Sequence, residues 1–390
     1  MWYNNFMAFS LSSLFAKKDQ SVLGIDVGSS SVKVVEIKKK RGRAVLKTYG
    51  ELALGPYAST EVGRATNLPP DKIAEAIKDI LREAKTTSTA CGVALPFSSS
   101  LISFITVPPV PEKQLAEVIQ LEARKYIPVP MNEVLLDWSL IPREDNYASE
   151  DDDDEDGKKS GNSDASKEGN GAKGQGGQDV LVVAIHNEFI ASYQQIMANS
   201  GLQPTFYEIE IFSAIRAVVE QGVQAVMILD MGARTTKLYI VERGILRTAH
   251  IINRGSQDIT LAVSKSLSIT VAEAENMKRL YGLTGGPEHK DLADIITTNL
   301  DYIFYESNAA LLNYQKKYGK NVAKVVLTGG GVLLKGFADV AKVSFQTEIV
   351  YANPFGKMET PAFFEQQLRE AGPEFAVAIG IALRRLSETQ

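Results

Sequence analysis

The chain has 390 residues, 44% apolar and 23% charged, with a formal net charge of −5. This is an ordinary globular composition, and the length suits two large lobes rather than one core. No run of about 18 or more apolar residues is present, which excludes a membrane-crossing helix; the one cysteine, Cys91, excludes a disulfide framework or cysteine-based zinc site and fits a reducing compartment such as the cytoplasm.

The opening segment lacks a secretory pattern, because Lys17 and Lys18 follow its short apolar stretch Ser10–Phe15 instead of preceding it. Phe6, Met7, Phe9, Leu11, Leu14 and Phe15 leave two readings open. Residues 6–18 form a peripheral membrane contact, or residues 1–20 are a flexible leader. Strands are then predicted at Val22–Val27, Val32–Ile37 and Ala44–Leu52, with a turn at Arg41-Gly42-Arg43. Pro69 and Pro70 open a helix carrying Ile73, Ala76, Ile77, Ile80 and Leu81 at helical spacing. Strands follow at Cys91–Leu95 and Leu101–Val107, then a helix over Pro111–Tyr126 bracketed by proline-rich turns, then a strand-like run Val134–Ile141.

Residues 144–178 carry eleven acidic residues and four lysines, a net of −7, which leaves the remainder nearly neutral at +2. Nothing in that balance points to nucleic acid. The segment has almost no apolar residues and is expected to be a disordered loop inside a domain. It lacks the Gly and Glu spacing of a calcium-binding loop.

Beyond it the pattern predicts strand 180–185, helix 188–200, strand 204–209 and helix 211–221. Three strands at 225–230, 235–241 and 245–252 repeat the opening, followed by helices at 256–267, 271–281 and 288–318. Strand 323–328, a helix from about 337, strand 347–351 and a closing helix 374–387 complete the order. Strand triplets followed by helices, given twice, argue for α/β lobes.

The triplets share a turn. Gly24-Ile25-Asp26-Val27-Gly28-Ser29-Ser30-Ser31-Val32-Lys33 is matched about two hundred residues on by Leu229-Asp230-Met231-Gly232-Ala233-Arg234-Thr235-Thr236-Lys237. Either alone is compatible with a simple hairpin. Together they suggest loops facing across a cleft, with Gly28, Ser29, Ser30, Ser31, Gly232, Ala233, Arg234, Thr235 and Thr236 donating to phosphate oxygens. Lys33 adds a point charge, and Asp26 and Asp230 sit where a carboxylate holds magnesium, usually through water.

Val325-Val326-Leu327-Thr328 runs into Gly329, Gly330 and Gly331, which lets backbone lie flat against a bulky ligand such as adenosine. Glu275 and Lys278, three apart on one helix face, are either ribose and base contacts or a solvated ion pair. Glu210, between strand and helix, is either a catalytic carboxylate orienting water or metal, or a helix N-terminal carboxylate. His186, His250 and His289 share no ligand spacing, and no nucleophile triad stands out.

The two Asp-x-Gly loops and the Thr-Gly-Gly-Gly turn, in this order, resemble the actin-like ATPase superfamily. The segments 24–36, Glu208-Ile209-Glu210, 274–282 and 376–384 resemble more narrowly the type IV pilus assembly PilM family, over roughly residues 21–142 and 179–387. The resemblance implies an α/β, actin-like ATPase fold: two lobes, each with a mixed sheet and helices, and an FtsA-like inserted small α+β subdomain. The first lobe takes 21–88, 200–222 and 373–390; the insertion takes 89–199; the second lobe takes 223–266 and 322–372, with a helical subdomain at 267–321.

The resemblance further implies ATP with Mg2+ in the cleft and a cytoplasmic adaptor at the inner face of the membrane. Its partner would be the N-terminal cytoplasmic peptide of a PilN-like membrane protein of the pilus inner-membrane platform. The peptide groove is expected near Phe97–Ile105 and Leu115–Ile127. Hydrolysis is expected to be slow, with Glu210 the only base candidate. The acidic insertion and the apolar leader both exceed the family pattern. An FtsA-like filament protein is the alternative, although that family ends in an amphipathic helix after a linker, whereas this sequence stops at Gln390. A small-molecule kinase would need a carboxylate base beside a substrate hydroxyl, for which no motif is found.

Overall fold

The first strand β1 (Ser21–Val27) is almost wholly buried and pairs antiparallel with β2 (Ser31–Lys40), which pairs with β3 (Arg43–Ala53). A computed structural model describes residues 21–142, 177–220 and 222–388. The leader 1–20, its proposed contact at 6–18, and the acidic segment apart from its last two residues lie outside them.

Helix α1 (Pro70–Glu83) buries Ala74, Ala76, Ile77 and Ile80, the face expected from its spacing. Strand β4 (Ala90–Leu95) follows. The next stretch supplies β5 (Ser100–Val107), α2 (Glu112–Ala123), β6 (Val134–Leu140) and β7 (Gln178–His186). Helix α2 stops at Ala123, short of the predicted Tyr126, because the chain tightens there to three-residue bonds, Lys125 N–H donating to Glu122 O and Tyr126 N–H to Ala123 O, both at 3.0 Å. The chain continues with α3 (Asn187–Asn199), β8 (Gln203–Ile209) and α4 (Glu210–Val218). The second triplet is β9 (Val226–Met231), β10 (Thr236–Glu242) and β11 (Ile245–Ile252), followed by α5 (Ser256–Leu267), α6 (Val271–Tyr281) and α7 (Lys290–Tyr318). Strand β12 (Lys324–Thr328), α8 (Phe337–Phe345), β13 (Glu348–Tyr351), α9 (Glu365–Ala371) and α10 (Ala376–Glu388) close the order. The predicted closing helix starts two residues late, because Gly372–Phe375 form a separate 3₁₀ turn.

Two five-stranded sheets have one topology. The first runs β3-β2-β1-β4-β8 and the second β11-β10-β9-β12-β13; in each, an antiparallel meander continues into two parallel strands. The buried strands β1 and β9 carry Leu23, Ile25, Met227, Ile228 and Leu229, as strands covered on both faces require. Helix α10 packs on the first sheet with Val22, Val35 and Ile37 in one apolar cluster. It approaches α4 so closely at Gly380 that an added Cβ would lie 1.9 Å from the Ser213 carbonyl oxygen. Beside this contact Glu208 takes Arg384 Nη1 at 2.6 Å and Arg216 Nη2 at 2.7 Å on one oxygen. Its other oxygen takes Ser213 Oγ at 2.6 Å. Burial opposes the charge on Glu208, but the two arginines hold its carboxyl below the usual range.

The described residues divide into two compact units, one reaching to Ser99 and resuming at Glu188, the other Ser100–Asn187. The insertion is therefore narrower than the 89–199 expected. Strand β4 pairs in parallel with β1 and β8, so it belongs to the first sheet, and residues from Glu188 onward pack with the larger unit. The smaller unit is a β5-β7-β6 sheet with Leu115, Ile119 and Ala123 of α2 packed on Ile105, Val180 and Val182.

Candidate functional site

Each Asp-x-Gly loop contains a four-residue turn, 28–31 and 232–235, closed by the same hydrogen bond. Gly28 N–H donates to the Ser31 carbonyl at 2.9 Å, and Gly232 N–H to the Thr235 carbonyl at 3.0 Å. The registers also match: Asp26 is paired with Lys33 across β1–β2, and Asp230 with Lys237 across β9–β10. Both loops line one cavity of about 680 Å³ within the larger unit. The segment before α1 ties the loops together. Thr66 N–H donates to Ser29 O at 2.8 Å, Arg234 Nη2 donates to Thr66 O at 2.8 Å, and Ala65 N–H donates to Gln257 Oε1 at 2.7 Å.

The two lysines are neutralised differently. Lys33 Nζ meets Glu51 at 2.9 Å and Ser31 Oγ at 2.7 Å. Lys237 Nζ lies 2.7 Å from Glu210 Oε2 and 3.2 Å from Asp230 Oδ2. Burial works against the Lys237 charge, yet Asp230 and Glu210 overcome it and raise its pKa. Burial pushes Asp26 up to about 6, with Lys33 only partly offsetting it. Glu210 is the first residue of α4, and both its oxygens are engaged, Oε1 by Phe97 N–H at 2.7 Å and Oε2 by Lys237.

Gly329 has φ 84°, and an added Cβ would sit 2.5 Å from both Asp230 Oδ1 and the Met231 carbonyl oxygen. Only glycine fits where this strand end meets the second loop. The Gly329 N–H and Thr328 Oγ1 both donate to Pro373 O at 2.8 Å, joining β12 to the 3₁₀ turn before α10. The next residue, Glu374, faces Glu51. Burial and the Glu51 charge push its carboxyl up to about 7, whereas Lys33 and Ser31 hold Glu51 low against the opposing effect of partial burial.

Glu275 and Lys278 are a buried pair, not a solvated one. Lys278 Nζ lies 2.7 Å from Glu275 Oε2 and 2.8 Å from Thr260 Oγ1, and Arg279 Nε donates to Glu275 Oε1 at 2.6 Å. Burial lowers the Lys278 pKa, with Glu275 offsetting only part of that.

The cavity wall thus brings together Asp26, Gly28, Ser29, Ser30, Ser31, Lys33, Glu210, Asp230, Gly232, Ala233, Arg234, Thr235, Glu275, Lys278, Gly329, Gly330 and Gly331. Thr236 is the exception. It is fully buried on the opposite side of its strand and donates to Arg254 O at 2.8 Å, because neighbouring strand residues point to opposite faces. Sequence reasoning overlooked Lys237, Glu51, Glu374 and Arg279. Lys237 had a legible signal, since it follows Asp230 by the spacing at which Lys33 follows Asp26. Glu51 and Glu374 had none, because only the fold brings them together. Among the described residues no three His, Cys, Asp or Glu side chains are arranged to hold a metal ion by themselves. A magnesium ion at Asp26 and Asp230 therefore fits only with most of its ligands coming from phosphate and water, its usual preference.

Two sheets of one topology, presenting matched Asp-Gly turns to a shared cavity, define a protein of the actin-like ATPase fold. EutJ, the ethanolamine utilization protein of Carboxydothermus hydrogenoformans, shares that fold at 13% identity and a TM-score of 0.50, covering 97% of this chain and 92% of its own. Residues 24–154 and 164–386 match the family described as type IV pilus assembly protein PilM, and the chain belongs to that family. A solved PilM–PilN type IV pilus biogenesis complex is similar at 25% identity and a TM-score of 0.75, over 95% of this chain and 99% of the solved one. The cell division protein FtsA of Agrobacterium fabrum is 25% identical over 206 residues, which are 47% of this chain and 44% of that protein, so the match spans under half the length of this relative. No helix among the described residues is long and apolar enough to cross a membrane.

Proposed function

We propose that this chain binds ATP with Mg2+ between its two Asp-Gly loops and, under nucleotide control, binds the N-terminal cytoplasmic peptide of a PilN-like membrane protein, acting as an adaptor at the inner-membrane platform of a type IV pilus. The observation that carries the nucleotide reading is the pair of identically closed loops on one cavity of about 680 Å³, within the usual size range of ligand sites. The Gly28 and Gly232 N–H groups close their loops, so those of 29–31 and 233–235 would donate to phosphates from two sides, and Lys33 and Lys237 would add charge. Asp26 and Asp230 would hold magnesium largely through water. Gly329, Gly330 and Gly331 would pass under the adenosine, with Glu275 and Lys278 beside it. Bound magnesium neutralises phosphate charge; the protein's own part is orientation.

With both Glu210 oxygens engaged, turnover should be slow, because a base must first leave Lys237. Differential affinity of the open and closed cleft for nucleotide would control the partner surface. On the smaller unit, the exposed Leu121 and Tyr126 are the side chains we assign to the peptide.

The test is a titration of magnesium-ATP with and without a synthetic peptide of the PilN-like protein's cytoplasmic tail. Peptide binding that changes with nucleotide and weakens in Leu121→Glu supports the adaptor. Nucleotide binding with no peptide response would favour the FtsA-like filament reading, and sedimentation would then decide.

A further inference from the structure

The β2–β3 hairpin ends in Lys38-Lys39-Lys40-Arg41-Gly42-Arg43, five cations in six residues. Positive φ at Arg41 (51°) and Gly42 (81°) closes its tight turn. Residues 40–43 are exposed. Cross-strand pairing of Lys40 with Arg43 and of Lys38 with Val45 puts Lys38, Lys40 and Arg43 on one face. Among the described residues Arg43 meets Glu359 at 3.2 Å, while Lys38, Lys39, Lys40 and Arg41 have no carboxylate partner.

A second feature is tied to this tip. Glu359 bridges Val45, donating its N–H to Ala44 O at 2.8 Å and accepting from Leu46 N–H at 3.0 Å. Four residues on, Phe363 and Phe364 stand out as an exposed aromatic pair, 75% and 47% accessible, with ring centroids 4.4 Å apart. Four residues reach at most about 14 Å, so the pair stays near the hairpin.

Unpaired like charges at this spacing repel one another and add nothing to the fold. An anionic surface offsets that repulsion, and exposed rings beside cations suit the headgroup boundary of a bilayer. A nucleic acid could use the cations but would leave the exposed rings of Phe363 and Phe364 without a role. We propose that the 38–43 hairpin tip together with Phe363 and Phe364 is a docking surface for an anionic lipid bilayer. It does not depend on the nucleotide reading.

The experiment is co-sedimentation of the full chain with vesicles of phosphatidylglycerol mixed into phosphatidylcholine, and with phosphatidylcholine alone. The wild type should bind only the mixed vesicles, and added salt should release it. At about five-fold per basic residue, loss of three cations lowers binding on the order of a hundred-fold, so Lys39→Glu, Lys40→Glu and Arg41→Glu combined should lower it by at least that much. The Phe363→Ser, Phe364→Ser variant should lose about ten-fold while keeping its salt dependence. A neutral Lys39→Gln, Lys40→Gln, Arg41→Gln variant with an unchanged thermal melt separates lost docking from lost folding. Absence of wild-type binding, or full binding by the charge-reversed chain, would overturn the proposal. So would equal binding to duplex DNA abolished by the same reversal, which would make the tip a nucleic-acid surface.

Discussion

Lys237 Nζ lies 2.7 Å from Glu210 Oε2, so one ion pair joins β10 of the second sheet to the first turn of α4 beside the first. The equivalent lysine of the first hairpin, Lys33, turns instead to Glu51. The two halves share a register but not a charge pattern, and the floor of the cleft is held from one side only.

Lys237→Met should therefore leave Glu210 and Asp230 buried without a counter-charge. Loss of one partner from a buried pair costs about 3–5 kcal/mol, read as a lower midpoint in guanidinium unfolding. Adding Glu210→Gln should restore part of that loss through coupling between the two sites. If the single variant unfolds like the wild type, the pair does not hold the cleft.

The carboxyl of Glu374, pushed up to about 7, makes stability depend on pH. A folded-state pKa above the unfolded one means the folded chain binds more protons between the two values, so stability falls as pH rises from about 4.5 to about 7. Glu374→Gln should match the wild type at pH 4.5 and exceed it by about 1–3 kcal/mol at pH 8. Denaturant titrations at the two pH values give the comparison, and a pH-independent difference would rule this origin out.

Gly329→Ala forces a side chain into backbone at φ 84° and into contact with Asp230. The strain should cost about 1–3 kcal/mol of stability. Magnesium-ATP affinity, measured by calorimetry, should fall by at least ten-fold. Unchanged affinity would remove this turn from the proposed site.

Arg384 is fully buried, with its guanidinium 4.6 Å above the Phe206 ring and Nη1 2.6 Å from Glu208. Arg384→Met should destabilise the chain by up to about 3 kcal/mol, because Glu208 would keep Arg216 as its single counter-charge beside the Ser213 hydroxyl. Urea unfolding measures this, and a change below about 1 kcal/mol would mean that Arg216 suffices.

Much of this architecture is legible in the sequence because the buried strands are largely apolar and two of the places that join them carry the same Asp-x-Gly pattern. Asp26-Val27-Gly28 and Asp230-Met231-Gly232 are such places, and the structure brings both to one cavity. Element ends are less legible. Nothing local separates Glu374 from α10, and nothing local marks Ala123 as the residue after which α2 tightens into a turn. Long-range partnerships are not legible at all. Glu51 meets Glu374, and Glu208 meets Arg384, because the sheet and α10 place them together, and a single sequence carries no record of that proximity.

The contribution of α10 to the first sheet has a consequence for biosynthesis. Strands β1–β3 emerge from the ribosome more than three hundred residues before the helix that covers Val22, Val35 and Ile37, whereas β9 to β13 form one continuous stretch. The second sheet can close while the first still waits with its apolar face bare, and contacts this distant are slow to form. Nascent chains arrested before Ala376 should accordingly show protease-resistant β9–β13 and protease-sensitive β1–β3.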